Sequence, residues 1–193
     1  MGRSFANLHI KSTNVEKVVK ALRELGEGHA EILGLKKEAP AIKTVMYVSK
    51  SNDNWISVLQ DYFVWGTVKK VGKVLSRLIE EPVMTAGYIN EEIFELSIFE
   101  QGDIQAERIF CEEWTRDEYG LKEERLHDDY LQEVLDIRME DFEEFIKIMS
   151  PYQAVDKLSE LIGMSIWSDS EWIPDDEDLG NRFEAYELHL ENK

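Results

Sequence analysis

The stretch from Trp55 to Phe110 constrains the fold more than any other part of the chain. It opens with a compact apolar run, Trp55-Ile56-Ser57-Val58-Leu59, behind the turn-forming cluster Ser51-Asn52-Asp53-Asn54, and this predicts a strand. Gly66-Thr67 then opens a segment with apolar residues at Val68, Val71, Leu75, Leu78 and Ile79, the spacing of one helical face. Pro82 ends it, because the proline ring disfavours the helical conformation at the residue before it. Three short runs follow, Val83 to Ile89, Ile93 to Phe99 and Ile104 to Phe110, separated by Asn90-Glu91 and Gln101-Gly102-Asp103. Such a pattern requires a sheet of sequential strands with a helix packed against it.

The residues before this stretch repeat the same alternation of element types. Phe5 to Lys11 alternates as a strand, with Phe5, Asn7, His9 and Lys11 on one face and Ala6, Leu8 and Ile10 on the other. Asn14 is a good N-cap for a helix whose stripe is Val15, Val18, Val19, Leu22 and Leu25, and Gly26 stands where a glycine C-cap belongs. Gly26 to Pro40 reads as a loop, with an edge strand at Ala30-Glu31-Ile32-Leu33. Thr44 to Val48 is β-rich and turns back into the strand at Trp55. The order strand, helix, strand, strand, helix, strand resembles the ferredoxin-like split βαβ unit, which has two helices on one face of an antiparallel sheet. The expected class is α+β, with ferredoxin-like βαββαβ order plus extra strands and C-terminal helices covering the sheet.

From Glu112 charge density rises and β-branched residues thin out. The chain divides on this basis into an α+β sheet domain, 1–110, and an acidic, mainly helical extension, 111–193, packed on it as one compact unit. Asp128 or Asp129 is the expected cap of a helix carrying Leu131, Val134 and Leu135. Phe142, Phe145, Ile146 and Met149 mark another helix. Ser150-Pro151-Tyr152-Gln153 is a proline-reinforced capping box opening a third, which Gly163 closes. Phe183 to Leu190 suits a final strand or a short helix.

Charge narrows the partners. The 193 residues carry a net charge of −18. Met1 to Glu80 has 13 Lys plus Arg against 8 Asp plus Glu, a balance of +5; the remainder has 9 against 32, a balance of −23. Nucleic acids and anionic membranes select clustered positive charge, so neither is an expected partner. No apolar run approaches the ~20 residues that span a bilayer. The single cysteine, Cys111, excludes an internal disulfide. With no secretory leader at Met1 to Ala6, the expected location is the cytoplasm.

No stretch carries a recognisable catalytic motif. His9, His29, His127 and His189 lack metal-helix spacing. Cys111 precedes Glu112 and Glu113, whose charge disfavours a thiolate, so it reads as structural. No phosphate-cradling or dinucleotide loop is present, and no cofactor is expected. The histidine and acids of His127-Asp128-Asp129 read as capping residues. Asp169, Glu171 and the run Asp175 to Asp178 could ligate a divalent cation through oxygen, but they lack the EF-hand pattern and read as a solvated loop.

Two tryptophans flank that acidic loop, Trp167 and Trp172. Such rings either fold back on the core or anchor a partner; Trp55, Trp65 and Trp114, at element junctions, read as core. In size, acidity and tryptophan content the chain resembles bacterial cytoplasmic immunity or adaptor proteins. The resemblance implies a non-enzymatic protein that binds a basic protein partner, and it is compatible with a homo-oligomer. The candidate surface is Trp167, Trp172, Asp175, Asp176, Glu177 and Asp178. The alternatives are a metal-dependent or carboxylate-based hydrolase and a small-molecule sensor.

Overall fold

The alternation read in the sequence becomes strand pairing. In the computed structural model, which describes residues 3–122 and 126–192, the chain runs β1 (Phe5–Ile10), α1 (Val15–Gly28), β2 (Ile42–Lys50), β3 (Ile56–Gln60), α2 (Thr67–Ile79), β4 (Val83–Ile89), β5 (Ile93–Glu100) and β6 (Asp103–Phe110). It continues through α3 (Glu113–Tyr119), α4 (Asp128–Leu135), α5 (Met139–Ile146), α6 (Pro151–Ile162), α7 (Glu177–Arg182) and β7 (Glu184–Leu190), with 3-10 helices at Ala30–Leu33 and Ser170–Asp175. The fold is α+β. Its seven strands form one antiparallel sheet in the order β6-β5-β4-β1-β3-β2-β7.

Strand periodicity sorts side chains to two faces. Ala6, Leu8 and Ile10 of β1 join Ile56, Val58 and Val83 under the apolar stripes of α1 and α2. Phe5 and the alternate residues Met84, Ala86 and Tyr88, with Phe94, Leu96 and Ile98, face the other way, under α4, α5 and α6. Phe145 of α5 and Leu158 of α6 are completely buried there, each worth about 1.5–3 kcal/mol of apolar transfer. Helices therefore cover both faces, and the central strands are buried on each side.

The local signals set most helix ends. Asn14 accepts from the Lys17 N–H at 3.1 Å and Ser150 from the Gln153 N–H at 3.3 Å. Gly163 closes α6 in the left-handed conformation, at φ 64°. Five expectations need correction. Met149 lies beyond the end of α5 and is exposed. Gly26 is not a cap: α1 continues two residues further, and a Cβ at Gly26 would lie 2.6 Å from the His189 carbonyl of β7. Its lack of a side chain permits close approach of helix and edge strand. Ala30–Leu33 is a 3-10 helix, not an edge strand. The cap position of α4 is His127, without a side-chain capping bond, and Asp128 lies inside the helix. Trp114 is not core but 62% exposed; on the short α3, only Thr115 is buried.

The end of the chain settles the strand-or-helix alternative at Phe183 to Leu190. β7 pairs with β2 from Ile42↔Leu190 to Val48↔Glu184. The sheet thus crosses the boundary drawn at residue 110. No described helix is long and apolar enough to cross a membrane.

Candidate functional site

The sheet opens at one place. β1 pairs with β4 along its whole length, but with β3 only from Leu8↔Val58 to Ile10↔Ile56. Beyond Leu8 the pairing of β1 with β3 stops, although β3 itself runs on to Gln60 in its pairing with β2. The Ala6 N–H donates instead to Asp169 Oδ2 at 3.2 Å, from the loop that returns after α6. A side chain has taken the place of a strand partner.

The gap is the end of a cleft of about 300 Å³. Its apolar lining includes Phe5, Phe63, Trp65 and Tyr88; its acids are Asp61, Asp169 and Glu171. Asp169 Oδ1 accepts from the Glu171 N–H at 3.0 Å, and Asp61 Oδ1 accepts from the Ser170 hydroxyl at 2.7 Å. Burial pushes the Asp169 carboxyl above its ordinary range; the two backbone N–H bonds oppose the shift, while Glu171 and Asp61 add to it. Tyr88 is fully buried and its hydroxyl has no hydrogen-bond partner; the Trp65 indole N–H has none either. Burial, with a smaller contribution from Glu91, raises the Tyr88 hydroxyl to about 12, so it stays protonated at neutral pH.

The six residues expected to form a partner surface divide by type. Trp167 stacks edge-on against Phe5 and Tyr88, with centroids 5.5 and 5.0 Å away, and its indole N–H donates to Asp156 at 2.7 Å. The Arg3 guanidinium lies 4.4 Å over its ring. Trp172 meets Phe5 edge-on at 6.1 Å, and both tryptophans pack against the second core while staying partly exposed. Asp175, Asp176, Glu177 and Asp178 are all exposed. Asp176 caps α7, accepting from the Leu179 N–H at 3.0 Å. None of the four carboxylates has an ion pair among the described residues. Phe5 therefore joins the indoles to the cleft. The charged run continues from Glu171 across the 3-10 helix Ser170–Asp175, about 2 Å per residue.

A second polar cluster lies deeper, on the same face of β1. The Asn7 amide donates to the carbonyls of Ile166 and Ser168, both at 2.9 Å. Its oxygen is left to accept, so His9 Nε2 carries the proton across 2.6 Å. His9 Nδ1 then accepts from the Ser57 hydroxyl at 2.7 Å, and Ser57 in turn bonds Ser51. A hydroxyl, an imidazole and an amide in series suggest a nucleophile with its base. Burial decides against this: Asn7, His9 and Ser57 are each 0% exposed, and desolvation lowers the His9 pKa to about 3. A ring with so low a pKa is a poor base at neutral pH, and no substrate can reach Ser57. The chain of bonds instead fastens the 166–168 loop to the sheet.

Among the described residues, no group of three or more His, Cys, Asp and Glu side chains could hold a metal ion. Cys111 is buried, beside Ile93 and Ile109. Sequence reading singled out Asp169 and Glu171 but missed Asp61, Phe5 and Tyr88, which only the parting of β1 from β3 brings to them. The polar pair Asn7 and His9, two apart on a strand, was a readable sign of a buried network. Comparison with protein-family models, with curated proteins and with solved structures gave no match.

Proposed function

We propose that the chain is a non-enzymatic binding protein whose acidic C-terminal surface engages a positively charged protein partner in the cytoplasm. The observation that carries this reading is the run Asp175 to Asp178, four exposed carboxylates without an ion pair among the described residues, beside the acids of the cleft. Unpaired surface charge of one sign raises encounter rates with the opposite sign, and salt screens the effect. The partly exposed edges of Trp167 and Trp172 supply apolar area next to that charge. Their packing on Phe5 gives these rings a fixed orientation before a partner arrives.

The test is association kinetics with a lysine- and arginine-rich protein, compared between the native chain and a variant carrying Asp175→Asn, Asp176→Asn, Glu177→Gln and Asp178→Asn. Asn at 176 keeps the capping oxygen, so the fold should hold. The expected result is an association rate about tenfold lower, with a weaker salt dependence. Equal rates and equal salt slopes would refute the reading.

A further inference from the structure

We propose that the corner formed by Trp167 and Tyr152 receives an arginine side chain of the basic protein partner, and that the chain's own Arg3 occupies it until that partner arrives. The inference rests on the proposed affinity for a positively charged protein and gives it a point of contact. The structure already holds a guanidinium there. The guanidinium carbon of Arg3 lies 4.4 Å from the centroid of the Trp167 ring and 5.7 Å from that of Tyr152, both within cation–π range. The two rings are 5.3 Å apart and inclined at 49°, so they form a corner rather than a stack. Glu91 supplies counter-charge, 3.4 Å from Arg3 Nε. Asp156, one helical turn beyond Tyr152 on α6, accepts the Trp167 indole N–H and brings a second carboxylate beside the same ring. Two aromatic faces and two carboxylates select a planar guanidinium.

Two properties make this an exchangeable contact rather than part of the core. The side chains of Arg3 and Glu91 are about half exposed, and Tyr152 is 47% exposed, so an incoming side chain can reach all three. The corner also keeps its shape without Arg3. Trp167 is held edge-on by Phe5 and Tyr88 and by its bond to Asp156, while Tyr152 sits in the first turn of α6. A site formed in advance loses little on being reoccupied. Arg3 also fills it incompletely. The buried Tyr88 hydroxyl, whose charged neighbours include Glu91, Arg3 and Asp156, has no hydrogen-bond partner. An unpaired buried polar group calls for a partner, and the resident guanidinium does not provide one.

The test is an NMR titration of the full native chain and of Arg3→Met with butylguanidinium and neutral pentanol, following the Trp167 indole N–H signal. Arg3→Met should bind butylguanidinium saturably and about tenfold more tightly than the native chain, the combined weight of an exposed cation–π contact and an exposed ion pair. Pentanol should shift the signal in neither. Tyr152→Ala, at an exposed position, should abolish the gain when added to Arg3→Met. Equal binding by the two chains, binding by neither, an equal response to pentanol, or a gain that survives Tyr152→Ala would each overturn the proposal. An arginine-rich peptide should displace butylguanidinium from Arg3→Met; its failure to do so would overturn a protein side chain as the occupant. The variant neutralised at 175–178 separates the two readings. With Arg3→Met added it should still bind butylguanidinium, even if neutralisation leaves association with basic proteins unchanged from the native chain.

Discussion

Two regions of this molecule gather carboxylates, and they differ in whether the fold provides the counter-ion. On the α2 face of the sheet, Glu95 and Glu107 are buried, and Lys69 of α2 reaches them at 3.8 and 2.5 Å. Ser97 donates to Glu107 at 2.8 Å. In the cleft at the end of β1, Asp61, Asp169 and Glu171 have no Lys or Arg ion pair among the described residues. Where acid is enclosed permanently, a helix brings its own cation, because an unpaired buried charge is too costly. Where acid lies in an open cleft, water can solvate it. The first arrangement stabilises the fold; the second leaves the acids to solvent.

The largest expected effect comes from breaking the first arrangement. Lys69→Met should cost about 3 kcal/mol, the scale of removing one partner from a buried pair. Glu107→Gln in the same chain should restore much of that loss. Urea unfolding of the two variants checks this, and a Lys69→Met chain as stable as the native one would remove the contrast. Somewhat smaller is the effect of acid on the uncharged cluster at His9. Near neutral pH both folded and unfolded chains hold a neutral ring. Below 6.5 the unfolded chain takes up a proton that the folded chain refuses until about pH 3. Stability is therefore lost as pH falls through that window, at up to about 1.4 kcal/mol per pH unit. The curve for His9→Gln should be flatter there by up to one proton, measured by urea unfolding at pH 6.5, 5.5 and 4.5.

The contrast between the two regions also explains what could be read beforehand. The helices α1, α2 and α6 were legible because their stripes and caps lie within a dozen residues: Asn14, the Val68 to Ile79 face, and Ser150-Pro151. Strand existence followed from period-two runs. Gly26 misled because a glycine near a helix end has two uses, and the close approach of β7, 163 residues further on, decided between them. Trp114 misled because a short helix can present an indole outward whatever its composition suggests. The cleft was illegible for the same long-range reason. Its parts come from residues near 5, 61, 88 and 169, and nothing local announces that the pairing of β1 with β3 stops at Leu8. Glu95, between Phe94 and Leu96 in β5, was a visible sign of a buried carboxylate.

The smallest expected energy, yet the most direct test of the central claim, is the titration of Asp169 itself. The claim is that the cleft carboxylates have no ion pair among the described residues, so that Asp169 is buried without a counter-ion. Carbon-13 NMR of the carboxyl groups, assigned through Asp169→Asn, gives the Asp169 pKa. In the free protein it should lie above its usual value of 3.8, because burial and the neighbouring Glu171 and Asp61 penalise the charged form. A pKa at or below 3.8 would contradict the account.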